Sequence, residues 1–272
     1  MNEGRVVQNT PDGPITVIRL RRDLAQLGVK PGMTLIVHSS LSRLGWVNGG
    51  PVAVIQALEN ALTPAGTLVM PTQSSGLSDP ALWQNPPVPE TWWETIRETM
   101  PAYDPDLTPA TGMGIIPETF RKQPGVQRSA HPHHSFAAWG RHAAAILHPH
   151  PLDDSLGEPS PLARLYDRDA RILLLGVGHG NNTALHLAEY RANWPGKKTE
   201  MNGSSVLIDG QRQWATFNNV YLDESDFEQI GTAFAEAGGE VLRGKVGMAD
   251  CELVRLRPLI DFAVSWMEQN RA

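Results

Sequence analysis

Residues 15–27 carry apolar side chains at Val17, Leu20, Leu24 and Leu27, the spacing of a helix with one buried face. Thr16 stands where a cap belongs and Gly28 where a helix stops. Lys30-Pro31-Gly32 then marks a turn, and residues 33–37 form a short apolar run of the kind that fills a buried strand. A second helix is predicted over residues 51–62, with Val54, Ile55, Leu58 and Leu62 on one face and Pro51 in its first turn. Another buried strand follows at residues 67–71. This helix–strand alternation predicts an α/β fold built on a central mixed, largely parallel sheet flanked by helices.

Residues 72–110 break the pattern. Seven prolines, from Pro80 to Pro109, surround Trp83, Trp92, Trp93 and Tyr103, so no long helix or strand can form. The segment reads as an irregular loop or lid within a single elaborated domain spanning 1–272, because long irregular stretches inside compact domains commonly wall a site. An ordinary surface excursion fits the same composition. Beyond it, a short helix is predicted over 115–122, a buried strand over 171–178, and a helix over 183–191. A hairpin is predicted around Asp209-Gly210, and helices over 227–237 and 259–268.

Composition narrows the function. The 272 residues are 41% hydrophobic and 19% charged, with a formal net charge of −6; a nucleic-acid-binding protein needs a basic face to displace counterions. A cationic ligand suits this balance better, although mild acidity also serves solubility alone. No apolar run is long enough to span a bilayer, and the N-terminal residues lack a signal-peptide plan. The lone Cys251 cannot form an internal disulfide, so a reducing, cytoplasmic location is expected.

Three clusters could carry chemistry. The first strand runs out into His38-Ser39-Ser40-Leu41-Ser42, followed by Gly45 and Gly49-Gly50, where hydroxyls, free N–H groups and a helix start can cradle a pyrophosphate. It matches neither the P-loop nor the dinucleotide fingerprint. In Asn182-Thr183-Ala184-Leu185-His186-Leu187-Ala188-Glu189, His186 and Glu189 fall three residues apart on one helix face, an imidazole backed by a carboxylate. That pair can serve as a general base, since an ammonium has no lone pair and must lose a proton before it can be acylated; a satisfied histidine beside an exposed glutamate has the same spacing. The third cluster, His131-Pro132-His133-His134-Ser135, invites a metal. Adjacent histidines in a proline-interrupted loop diverge, so no metal is expected, and the rings are read as shaping the loop or meeting substrate hydroxyls. Cys251, between Asp250 and Glu252, is read as structural.

In combination the motifs resemble the aminoglycoside 3-N-acetyltransferases, a family of antibiotic acetyltransferases. The resemblance runs over nearly the whole chain: Val37-His38-Ser39-Ser40-Leu41 with Gly45 and Gly49-Gly50; Met70-Pro71-Thr72; Thr108-Pro109-x-Thr111-Gly112-Met113-Gly114; Arg128-Ser129-x-His131-Pro132-x-x-Ser135; Leu174-Leu175-Gly176-Val177; and Asn182-Thr183-x-x-His186-x-x-Glu189. It implies a fold particular to the family rather than the commoner acetyltransferase fold. It also implies acetyl-coenzyme A as donor, and direct transfer to the 3-amino group of a 2-deoxystreptamine aminoglycoside in a ternary complex. Carried over by position, His186 is the base and Glu189 its support. His38, Ser39, Ser40 and Leu41 hold the pyrophosphate, while Thr72 and Thr111, Gly112, Met113 and Gly114 line the pantetheine path. A polycationic acceptor further calls for carboxylates, for which Asp79, Asp104, Asp153 and Glu224 are candidates.

Two other enzymatic readings stay open: an acyltransferase of the same fold acting on a different amine, and a serine hydrolase using Ser39 or Ser40. The latter lacks the Gly-x-Ser-x-Gly elbow. A cofactor- or drug-sequestering module is the non-catalytic alternative, and the sequence leaves monomer and homodimer equally open.

Overall fold

The computed structural model describes residues 3–8 and 10–272; of the N-terminal segment read above, residues 1, 2 and 9 lie outside it. After α1 (Glu3–Gln8) come α2 (Val17–Leu27), β1 (Thr34–Ser39), α3 (Gly50–Leu62) and β2 (Thr67–Pro71). The middle of the chain forms α4 (Trp93–Thr99), α5 (Ile115–Phe120), β3 (Gln127–Arg128), β4 (Phe136–Gly140), α6 (Ala143–Leu147), α7 (Pro161–Asp167) and β5 (Arg171–Leu175). The remainder is α8 (His186–Arg191), β6 (Thr199–Ile208), β7 (Gln211–Val220), α9 (Phe227–Glu236), β8 (Val241–Val246), β9 (Ala249–Arg255) and α10 (Leu256–Asn270).

The predicted start and stop of α2 are both seen. Thr16 accepts a hydrogen bond from the Arg19 N–H, and Gly28 closes the helix at φ 111°, a left-handed conformation that costs glycine nothing. Seven strands form one sheet in the order β3-β4-β2-β1-β5-β9-β8. β1 pairs in parallel with β2 and β5, whereas β4 and β9 run antiparallel to their neighbours. Five strands therefore point one way and two the other.

Alternation along the central strands splits the core in two. Leu35, Val37, Leu68, Met70, Leu173 and Leu175 face one side, packed against α2, α3 and α5. Ile36, Val69, Ile172 and Leu174 face the other, packed against α6 to α10. Strands buried on both faces need continuous apolar runs, which is what residues 35–37, 68–70 and 172–175 supply. The sheet is thus sealed between two helical layers. β6 and β7 form a separate hairpin whose turn, Asp209-Gly210, has φ of 51° and 76°, the left-handed pair that a two-residue hairpin turn requires.

β1 lies between β2 on one side and β5 on the other, and the chain reaches these neighbours by separate crossovers. Such a switch point leaves a crevice beyond the carboxyl ends of the strands, where α/β folds bind ligands. The ends of β1, β2 and β5 are His38-Ser39, Met70-Pro71 and Leu174-Leu175.

Candidate active site

Two cavities open at that crevice. The inner one, about 300 Å³, is lined by His38, Ser39, Pro71, Gln73, Asn182, His186, Glu224 and Phe227 among others. The outer one, about 600 Å³, is lined by Ser39, Ser40, Leu41, Ser42, Gly50, Gly114 and Ile115 among others. Ser39, Gly112, Met113, Val177 and Asn181 border both, so the cavities meet and the cleft is continuous from the serine loop to His186.

β5 leads to His186. It ends at Leu175 and the chain turns at Gly176, φ 74°. Asn182 then caps a tight turn at Thr183–Leu185 by accepting from the Ala184 N–H, and His186 opens α8. The predicted helix over 183–191 therefore begins as this turn. His186 and Glu189 sit on one face of α8, with Nδ1 of the ring 2.5 Å from Oε2 of the carboxylate. The His186 ring also packs at 5.0 Å against Phe227.

Glu189 is 0% exposed, and a buried carboxylate needs partners for both oxygens. Oε1 accepts from the Asp223 backbone N–H at 2.9 Å and from Nη1 of Arg271 at 2.7 Å. Oε2 is left for His186. A carboxylate only accepts hydrogen bonds, so the ring donates to it through Nδ1, and Nε2 is the nitrogen left for another partner.

His38 projects from β1 toward the same face, its Nε2 buried without a partner among the described residues. Burial, with His179 and His186 nearby, pushes its pKa down to about 3, so it lines the inner cavity as a neutral ring. Ser39 Oγ is likewise buried and has no partner among the described residues, at the border of the two cavities. The Ser40 and Ser42 hydroxyls are 3.3 Å apart. Gly112 and Gly114 hold left-handed φ of 77° and 86°, and a Cβ on Gly114 would stand 4.0 Å from the Ser39 carbonyl oxygen.

Other residues singled out in the sequence lie elsewhere. Thr72 is fully buried, its hydroxyl shared with Ser135 and Arg128; its neighbours Pro71 and Gln73 face the cavity instead. Thr111 pairs with the Ser75 hydroxyl on the exposed side of its turn. Asp79 takes both prongs of Arg97, Asp104 accepts from the Asp106 and Leu107 N–H groups, and Asp153 accepts from the Asn218 N–H. Of the four candidate acidic residues, Glu224 is the one that lines the inner cavity with His186.

The histidine cluster is internal framework. His131 Nδ1 accepts from the backbone N–H groups of His133 and His134 while Nε2 faces the Leu152 carbonyl. His134 pairs with Ser155, and His150 bridges Ser129 and the Ser155 carbonyl. Among the described residues no three His, Cys, Asp or Glu side chains converge to hold a metal ion, and no helix is long and apolar enough to cross a membrane. Cys251 is buried in β9, its thiol pKa raised by burial. Arg271 is the site residue that the sequence reading missed: no motif marks it, and it reaches Glu189 across 82 positions of chain.

The family model for aminoglycoside 3-N-acetyltransferase matches residues 36–268. A prophage-derived aminoglycoside N(3')-acetyltransferase-like protein, YokD, of Bacillus subtilis is 49% identical, over 98% of this chain and 97% of its own. Its crystal structure superposes with a TM-score of 0.95, covering 98% of each chain. The aminoglycoside N(3)-acetyltransferase VII of Streptomyces paromomycinus is 40% identical, over 95% and 93% of the two chains. A structure of AAC-IIIb with CoASH, 32% identical, superposes with a TM-score of 0.84 over 94% of this chain and 97% of that one. One of AAC-VIa bound to sisomicin, 31% identical, does so at 0.85 over 96% and 100%. Matched along its length in sequence and in fold, the chain belongs to the aminoglycoside 3-N-acetyltransferase family of acyltransferases.

Proposed function

We propose that this protein transfers the acetyl group of acetyl-coenzyme A directly to the 3-amino group of a 2-deoxystreptamine aminoglycoside, both substrates bound together and His186 acting as general base. The observation that carries this reading is the position of the His186–Glu189 pair at the inner end of a two-chambered cleft. Relatives of the same family were captured with CoASH and with sisomicin.

The outer chamber suits the donor. The Ser39 hydroxyl, Ser40 and Leu41, and the glycine turn at 112–114 border it, and α3 begins there at Gly50, its positive end toward the place a pyrophosphate would take. The thioester then lies where the chambers meet, beside Ser39. In the inner chamber His186 Nε2 takes a proton from the amine as the nitrogen lone pair forms a bond to the thioester carbon. The carbon–sulfur bond breaks, and the departing thiolate takes up the proton held on His186 Nε2, leaving as coenzyme A thiol and restoring the neutral ring. The Glu189 carboxylate stabilises the imidazolium in between. Glu224 faces the acceptor, and Gln73 and Gly112, at the two ends of the irregular segment, border the same chamber.

A second reading, acylation of a different amine, draws on the engagement of Asp79, Asp104 and Asp153 within the protein, which leaves Glu224 as the carboxylate in place for a cation. Thiol release from acetyl-coenzyme A, followed with a panel of aminoglycosides and simple amines, separates the readings. Release dependent on aminoglycosides supports the first, and release with other amines alone overturns it.

A further inference from the structure

Arg271 lies just past the end of α10, where no motif of the sequence points, yet its guanidinium touches three parts of the site. Nη1 donates to Glu189 Oε1 at 2.7 Å. Nε and Nη2 donate to the two oxygens of Asp226 at 2.7 and 2.6 Å, and Nη2 also reaches the Asp223 carbonyl at 2.7 Å. The Trp194 ring packs against its far face at 5.0 Å.

We propose that Arg271 is a positioning residue for acyl transfer: anchored on Asp226, it fixes and neutralises the buried Glu189 carboxylate, so that Glu189 can hold the His186 ring with Nε2 toward the substrate. This rests on His186 being the base.

Glu189 has no contact with solvent, and a carboxylate so placed is strongly disfavoured unless a cation faces it. Arg271 supplies that cation, and its planar fork serves two carboxylates at once, which a lysine ammonium cannot do with the same geometry. The carboxylate orientation is thereby set from behind by Arg271 and the Asp223 N–H, and Oε2 is directed at the ring.

The charge also matters to the proton. The base-ready pair, neutral His186 with ionised Glu189, carries one negative charge, which Arg271 balances. Without Arg271 the pair keeps its proton to higher pH, because removing a neighbouring positive charge favours the protonated form. The other charged or titratable groups facing the pair are His38, His134, Lys197, Glu224, Asp223 and Asp226.

The test follows the histidine ring signals by NMR across pH in wild type, R271M and R271K, with the His186 signal identified by its loss in H186A. Steady-state rates with acetyl-coenzyme A and sisomicin are measured alongside. The titration midpoint of the His186 signal is expected to rise by about one pH unit in R271M and by less in R271K. The same R271M change should lower kcat by roughly tenfold or more while KM stays within about twofold. An unmoved midpoint in both variants, or a moved midpoint with wild-type kcat, overturns the proposal; if R271M does not fold, an unmoved midpoint in R271K does so. Wild-type rates that H186A retains in full overturn the base reading itself, and an inert wild type overturns the acceptor assignment while the midpoints still decide the role of Arg271.

Discussion

The Nδ1 atom of His186 and the Oε2 atom of Glu189, one helical turn apart on α8, approach to 2.5 Å. The carboxylate has no exposure to water, so its orientation is set by protein donors alone. This contact decides which ring nitrogen is free to take a proton.

Replacing Glu189 by Gln removes the charge that stabilises an imidazolium and lets the amide present N–H to Nδ1, favouring the unproductive tautomer. We expect kcat to fall by about two orders of magnitude or more, with little change in KM for acetyl-coenzyme A. Steady-state kinetics of E189Q check this. A kcat within about twofold of wild type would show that the contact does not serve the reaction.

Acid should destabilise the fold before it touches the carboxylates. Burial holds His133 and His150 down to about 4, holds His38 down to about 3 together with His179 and His186, and depresses His131 and His134 well below the usual range. The unfolded chain takes up these protons near pH 6.5 while the folded protein does not, so stability is full above that pH and is lost as pH falls toward 4. His133 and His150 each contribute a loss of about 2 kcal/mol by pH 5. Urea unfolding at neutral pH and at about pH 5 measures it; H150N should flatten the slope, and equal stability at both pH values would contradict the neutral, buried state of these rings.

Arg128 should matter for stability rather than for chemistry. Its buried guanidinium donates to the carbonyls of Thr72, Pro105 and Thr108 and to the hydroxyls of Thr72, Ser74 and Ser135, tying the irregular segment to the end of β2. R128M strands several buried oxygens, at a cost of about 1–3 kcal/mol for each that finds no substitute. Thermal melting and limited proteolysis should show a total loss of at least about 3 kcal/mol, with cleavage first within 72–110. A melting point equal to wild type would show that the segment is held by other contacts.

Glu224 is exposed at the inner chamber, so its attraction for a cationic acceptor should be modest and screened by salt. E224Q should raise the aminoglycoside KM by roughly three- to tenfold at low ionic strength, and the difference should fade near 1 M salt. A KM unaffected by the substitution at low salt would remove Glu224 from acceptor binding.

Much of the scaffold was legible because β1, β2 and β5 are buried on both faces and their sequences are continuous apolar runs. β4, β8 and β9 were not. β4 reads Phe136-Ala137-Ala138-Trp139-Gly140, too rich in alanine to stand out, and the β8 edge strand mixes Leu242 and Val246 with Arg243, Gly244 and Lys245. At the site, His186 and Glu189 were readable since one helix turn brings them together. Local spacing could not show that Thr72 turns inward to Arg128, nor that Arg271 closes on Glu189 from the far end of the chain. Both contacts exist only once the sheet and its helical layers have assembled.

The most direct test of His186 as the base is a rate measurement on H186A with saturating acetyl-coenzyme A and an aminoglycoside that wild type acetylates, with coenzyme A binding measured in parallel. Turnover should fall by roughly two to four orders of magnitude while coenzyme A affinity is retained. An H186A protein that acetylates at the wild-type rate would contradict it.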